Sequence, residues 1–295
     1  MNPRIAIVGP GAIGGTVAAW LIRAGFDISL CARTPFAELV VEAPDNTLRA
    51  TPRIWTAPEQ AKPVDWVMLA TKTYAVAGTA AWFPTLVGPA TRVAVLQNGV
   101  EHIARFASFV PADRILPVVV DIPAERDAPG QIRQRRSGTM LVAQPGGKDF
   151  VDLFAGTAIA VTQTTDFVGA MWRKLAINVA GAVSALADEG GGVAWRDPAA
   201  DVIRALVCEC IAVGRAEGAA LEDEIVEAVV DHYRRGPRDA INSLHADRIA
   251  GRPMEWDARN GVVGRLGRRH GIATPASDTV TRLLAAIDDR ISAAT

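Results

Sequence analysis

The chain has 295 residues, 49% hydrophobic and 21% charged, with a formal net charge of -1. That length suits two domains and that composition a globular enzyme, while the near-zero charge excludes a general attraction to nucleic acid or to an anionic membrane. Three cysteines, Cys31, Cys208 and Cys210, make no disulfide framework. Cys208 and Cys210 lie two apart in a helical pattern, so they point to nearly opposite sides and cannot share a metal; both read as core fillers, and no metal is expected.

The opening "MNPRIAIVGPGAIGG" runs into a strand without the layout of a signal peptide, and no apolar stretch is long enough to span a bilayer. A soluble, cytoplasmic protein is expected. "RIAIV" is a β-branched run of the kind buried on both faces of a sheet. Gly9, Gly11 and Gly14 follow at G-x-G-x-x-G spacing, and a helix is predicted from Ala12 to about Ala24, ended by Gly25. In such a turn Gly9 permits the tight bend, Gly11 admits a pyrophosphate against the backbone, and Gly14 lets helix and strand pack closely. Free N–H groups at the helix start, at Ala12 and Ile13, favour the phosphates, and Pro10 in the turn before them is a further cofactor-binding position. A second strand, "DISLCA", arrives on schedule.

The residue at its end selects between cofactors. An acid there binds a ribose 2′-hydroxyl, but this chain has Arg33 and no acid before Glu38. A guanidinium suits a 2′-phosphate, so NADP(H) is preferred over NAD(H); a solvated loop arginine is the alternative. The runs "VDWVMLATK" and "TRVAVLQNGV" read as strands that leave Thr71, Lys72, Gln97 and Asn98 at their carboxyl ends, where open α/β sheets bind ligands. Asn98 offers an amide to a nicotinamide or a substrate oxygen, or is simply a turn asparagine before Gly99. Between Arg114 and Gln163 three further strand-rich segments appear, and the basic cluster Arg133, Arg135, Arg136 reads as a solvated strand face.

After Thr165 helical periodicity takes over, with helices predicted near 168–187, 198–217, 221–235, 241–250, 254–270 and 275–293. The expected fold is therefore an α/β Rossmann-type N-terminal domain, 1–165, followed by an all-α C-terminal domain, 166–295. The run Gly190 to Gly192 is either a flexible break or a place where backbone approaches something. Only four of the 31 basic residues are lysines, and Lys174 sits among Trp172, Leu175 and Ile177. Lysine, unlike arginine, can be tuned to release a proton. Lys174 and Asn178 are four apart and share a helix face. A snorkelling lysine covering apolar surface is the alternative. Ser243 reads as a helix cap or a polar site residue, and Glu255 as a first-turn acid or a site residue.

Several separated motifs together resemble the 2-dehydropantoate 2-reductase (ketopantoate reductase) family: "GPGAIG", "ATKTY", "LQNGVE", "WRKLAIN", "SLHADRIAGRPMEWDARNG" and "GIATPASD". The resemblance runs over nearly the whole chain, in order. It implies an NADP-dependent oxidoreductase of pantothenate biosynthesis acting on a small 2-oxo acid. By position it makes Lys174 the proton donor and a substrate contact, Asn178 and Ser243 substrate-binding residues, and Asn98, Lys72 and Glu255 cofactor or site-organising residues. Arg33 becomes the 2′-phosphate contact. Ala182 stands where the family usually has a second substrate-binding asparagine, and Gly192 near another polar position. A reductase of another small 2-oxo acid therefore stays open, as does an NADPH-binding redox sensor. The apolar C-terminal helices serve equally as core or as a homodimer interface.

Overall fold

The computed structural model describes residues 2–294, and the side chains of residues 292 and 294 are not considered. The chain divides into two compact units, Met1–Phe167 and Val168–Thr295. Among the described residues of the first, thirteen strands are laid down in chain order. They are β1 (Ile5–Val8), β2 (Ile28–Cys31), β3 (Leu39–Glu42), β4 (Thr47–Ala50), β5 (Arg53–Trp55), β6 (Val64–Leu69) and β7 (Val87–Val95). Then come β8 (Ile115–Pro117), β9 (Val119–Asp121), β10 (Ala124–Ala128), β11 (Gln131–Gln134), β12 (Gly138–Ala143) and β13 (Ile159–Thr164).

Six of these form a parallel sheet in the order β5-β2-β1-β6-β7-β8. The chain builds outward from β1 through β2 to β5, then returns to start again at β6. The reversal between β1 and β6 is the topological switch point of a doubly wound sheet, the place where such sheets bind ligands. Strand alternation explains how the sheet is buried on both sides. Ile5, Ile7, Ile28, Leu30, Trp66 and Met68 enter one core with helix α1 (Ala12–Arg23), while Ala6, Val8, Val67, Leu69, Val93 and Val95 enter the other. The second core is closed by Phe83 and Leu86 of α3 (Phe83–Leu86), which follows α2 (Val76–Ala80), and by Phe106 of α4 (His102–Phe106).

Two smaller sheets, β10-β11-β3-β4 and β13-β12-β9, complete the unit with the short α5 (Lys148–Leu153). Strands β3, β4 and β5, between 39 and 55, are additional to those expected from the sequence. The basic cluster is a solvated face: Arg133, Arg135 and Arg136 pair with Asp127, Glu125 and Asp121 on the surface.

The second unit is helical: α6 (Phe167–Ala187), α7 (Asp197–Ala216), α8 (Ile225–Arg235), α9 (Ser243–Ile249), α10 (Val262–His270) and α11 (Pro275–Ala294). The central helix α6 buries Trp172, Leu175, Val179 and Val183, spaced three or four apart, along one stripe. Gly214 of α7 lets Trp172 come close, since a Cβ there would stand 2.9 Å from its ring. Gly190 to Gly192 is a site of close backbone approach and not a flexible break. Gly191 and Gly192 donate to the carbonyls of Ala240 and Arg238, and a Cβ on Gly190 would meet Arg238 O at 2.6 Å. Cys210 is buried as expected, but Cys208 is exposed, so only one of the pair fills the core. Asp257–Gly261 forms a π-helical turn ahead of α10.

Candidate functional site

The candidate residues fall into two groups, one in each unit. In the first unit they all lie at the carboxyl edge of the parallel sheet. The turn after β1 begins at Gly9, whose φ of +88° favours glycine and whose Cβ would collide with Thr71 at 2.7 Å. Pro10 follows, and Gly11 N donates to Gly9 O at 2.8 Å, closing the bend. Helix α1 starts with Ala12 and Ile13. At Gly14 a Cβ would stand 2.4 Å from Gly9 O and 2.9 Å from Ala70 Cβ, so only glycine lets the helix lie this close to β1 and β6. Gly11 is different: nothing lies within 4 Å of a Cβ built there. That opening, at the N-terminus of a twelve-residue helix, is where a diphosphate can meet free backbone N–H groups.

Arg33 follows β2, is exposed, and makes no hydrogen bond or ion pair among the described residues. Glu38, the next acid along the chain, is held by Arg49 at 2.9 Å, which leaves the Arg33 guanidinium available to an anionic group. Lys72 and Asn98 lie half-buried after β6 and β7. Gln97 ties these two strand ends together. Its Nε2 donates to Thr71 O and to Thr71 Oγ1, both at 3.0 Å. His102 and Arg105 of α4 fix the same loop. His102 Nε2 lies 2.8 Å from Gln97 O, and Arg105 Nη1 donates to Asn98 O at 2.9 Å. A carbonyl only accepts, so His102 carries its proton on Nε2, and its buried Nδ1 has no partner. Burial and then the Arg105 charge push the His102 pKa down to about 4, which keeps the ring neutral.

In the second unit Lys174 and Asn178 sit one turn apart on α6, both half-buried. The helix just beyond Lys174 is gripped from outside. Tyr233 Oη donates to Ile177 O at 2.9 Å, and Arg259 Nη2 to Asn178 O at 3.0 Å. Asn260 Nδ2 donates to Val179 O at 3.1 Å, and Asn242 Nδ2 to Gly181 O at 3.0 Å. Four side chains from other segments of the unit thus anchor α6 from Ile177 to Gly181, the stretch that carries the candidate asparagine and begins just beyond the lysine. Gly181 makes room for three of them, because a Cβ there would meet Tyr233 Oη at 2.8 Å and Arg259 Nη2 and Asn242 Nδ2 at 3.1 Å.

The cap of α9 is Asn242 and not Ser243. Asn242 Oδ1 accepts from the N–H groups of Leu244 and His245 at 3.0 and 3.2 Å. A cap of this kind is worth about 1 kcal/mol and frees the Ser243 hydroxyl for other partners. Ser243 is exposed, and its Oγ accepts from Arg259 Nη1 at 2.9 Å. Glu255 is no solvated first-turn acid either. It is buried at 6% exposure, just ahead of the helical turn, and its charge acts on Arg259. Ala182 is fully buried and Gly192 packs on Arg238, so neither supplies a polar group.

The sequence reading missed Tyr233, Asn242, Arg259 and Asn260. Tyr233, Asn242, Arg259 and Asn260 stand in the polar stretches DHYRR, INSLH and DARNG, so their spacing carried no signal, and which carbonyl each one reaches depends on the packing of segments far apart in the chain. Among the described residues no cluster of histidine, cysteine and acid side chains could hold a metal, and no helix is long and apolar enough to cross a membrane.

Comparison with known proteins places these features in a family. Residues 5–147 match the family model described as ketopantoate reductase PanE/ApbA, and residues 166–288 match its C-terminal counterpart. A 2-dehydropantoate 2-reductase of Caulobacter vibrioides is 53% identical over 95% of this chain and 97% of its own. One of Mycobacterium tuberculosis is 41% identical over 98% of this chain and 99% of its own. Among solved structures, a PanE/ApbA family ketopantoate reductase from Ralstonia eutropha JMP134 aligns with a TM-score of 0.90. Its sequence identity is 28%, covering 98% of this chain and 99% of the other.

Proposed function

The chain belongs to the ketopantoate reductase family, and from that premise we propose that it reduces the C2 carbonyl of 2-dehydropantoate to the alcohol with NADPH, a step of pantothenate biosynthesis. The observation that carries this reading is the pairing of two built features. One is a glycine turn whose only open Cβ position is Gly11; the other is a lysine on an anchored helix beside an asparagine one turn away.

The residues present fit the cofactor. Gly9 and Gly14 hold the turn where a side chain would collide, Gly11 leaves room for a diphosphate, and the α1 N–H groups at Ala12 and Ile13 would meet it, with Pro10, which has no N–H, shaping the turn before them. Arg33, exposed and unengaged at the end of β2, suits a 2′-phosphate, which favours NADP(H) over NAD(H). Lys72 and Asn98 stand at the adjoining strand ends, where they would hold the nicotinamide side. When bound, NADPH supplies the hydride that goes to the carbonyl carbon.

Negative charge then grows on the carbonyl oxygen. Lys174 donates a hydrogen bond to that oxygen, stabilises the charge and passes it the proton that completes the alcohol. Asn178 and Ser243 orient the polar groups of the acid. Glu255, buried near Arg259, organises the charge around this group of residues. A cytoplasmic location accords with a biosynthetic enzyme.

A second reading rests on Ala182 and Gly192, which give the substrate no side-chain hydrogen bond. Two such bonds discriminate by about 1–3 kcal/mol, so a different small 2-oxo acid is the competing substrate. Steady-state NADPH oxidation with 2-dehydropantoate beside other branched and unbranched 2-oxo acids decides between them. The largest kcat/KM is expected for 2-dehydropantoate; a larger value for another acid transfers the assignment to that acid. Absence of oxidation with all of them returns the chain to a cofactor-binding sensor.

A further inference from the structure

Arg259 is 2% exposed, yet among the described residues its guanidinium hydrogen-bonds neutral partners only. Nη1 donates to Ser243 Oγ at 2.9 Å, Nη2 to Asn178 O at 3.0 Å, and Nε is buried without a partner. Glu255 and Asp247 act on it electrostatically, but Asp247 is already engaged by Arg252 at 3.0 Å. A buried cation without a contacting carboxylate is unfavourable, and it favours whatever anion comes near.

The direction of one hydrogen bond gives this charge a route outward. A guanidinium is a donor only, so Ser243 Oγ must be the acceptor in their contact, and the Ser243 O–H points elsewhere. Asn242 performs the helix cap, which leaves that hydroxyl uncommitted, and Ser243 is exposed. A hydroxyl backed by a cation is a stronger donor than one backed by a neutral group. The same guanidinium grips the backbone of Asn178, so the two residues proposed to orient the substrate share a single charged support. Its place is made by Gly181, where a Cβ would reach Arg259 Nη2 at 3.1 Å.

We propose that Arg259 is a specificity-determining positioning residue that acts through Ser243 and Asn178 to select the carboxylate of the 2-oxo acid. The proposal rests on the reductase reading above. Arg259 does not touch the reacting atoms; it directs the Ser243 hydroxyl and supplies the counter-charge for an acid over a neutral ester.

The test compares a 2-oxo acid with its methyl ester in wild type, Ser243→Ala, Arg259→Met, Arg259→Lys and the Ser243→Ala/Arg259→Met double variant. Arg259→Met is expected to lower the acid-to-ester ratio of kcat/KM by about tenfold or more, mainly through KM for the acid, with KM for NADPH within about twofold. Ser243→Ala lowers the same ratio, the double variant falls no further than the worse single one, and Arg259→Lys recovers part of the loss. An unchanged ratio in Arg259→Met, or multiplying losses in the double variant, overturns the assignment. If Arg259→Met does not fold, Ser243→Ala and Arg259→Lys decide: a wild-type ratio in both overturns it. Variants flat against an active wild type defeat only the Arg259 role. A wild type inactive on every 2-oxo acid defeats the reductase reading and this inference with it.

Discussion

Two glycines of the same turn should respond to the same substitution in opposite ways. At Gly14 an added methyl would lie 2.4 Å from Gly9 O and 2.9 Å from Ala70 Cβ. Neither neighbour can rotate aside, so α1 must shift from the sheet by roughly 1 Å to restore contact distance, and overpacking of that kind costs about 1–3 kcal/mol. With two backbone-borne neighbours the upper end applies, which lowers Tm by roughly 6–12 °C for a domain of this size. At Gly11 nothing lies within 4 Å and φ is -77°, so alanine is tolerated there with a stability change within about 1 kcal/mol. The methyl of Gly11→Ala occupies the space assigned to the diphosphate, and NADPH affinity should fall by about tenfold or more. Thermal melts without cofactor and fluorescence titrations with NADPH read the two effects separately. The reasoning fails if Gly11→Ala melts as early as Gly14→Ala, or if it binds NADPH as tightly as the wild type.

Arg33→Ala should weaken NADPH about tenfold or more and leave NADH almost unchanged, because only the former carries a 2′-phosphate. Equal losses for both cofactors in a titration would remove the residue from that role. His102 gives a pH signature. Its folded pKa of about 4 lies below the ordinary 6.5, so between those values the unfolded chain takes up a proton that the folded chain refuses. Stability from this group is complete above 6.5 and is lost as pH falls toward 4, by about 3 kcal/mol in all. Denaturant unfolding at pH 7, 5.5 and 4.5 (on the order of these values) should show a shallower loss in His102→Gln; parallel curves for the two proteins would contradict the assignment.

What the sequence disclosed was local. The glycine turn, the strand before it and the helix after it follow from spacing within thirty residues or so, and the helices of the second unit from apolar periodicity. Strands β3 and β4 escaped because they are four residues each, too short for a period to stand out; in β3 Leu39, Val40 and Val41 are all buried, and β4 has a single buried residue, Leu48. At Asn242 and Ser243 two adjacent residues both have capping chemistry, and only the hydrogen-bond directions separate the cap from the free hydroxyl. Glu255 reads from the sequence as a first-turn acid or a site residue, because a preceding proline and a helix start are the ordinary setting for the former. Its burial, like the reach of Arg259 to a carbonyl 81 residues away, is set by packing that no window of sequence contains.

The central claim is that Lys174 hands a proton to the carbonyl oxygen of a 2-oxo acid as NADPH is oxidised. Single-turnover stopped flow on Lys174→Ala, with NADPH prebound and 2-dehydropantoate added, addresses that step alone. The account predicts a rate at least about a hundredfold below the wild type with NADPH affinity unchanged, and no recovery in Lys174→Arg, which keeps the charge but holds its proton too firmly. A wild-type rate in Lys174→Ala would contradict it.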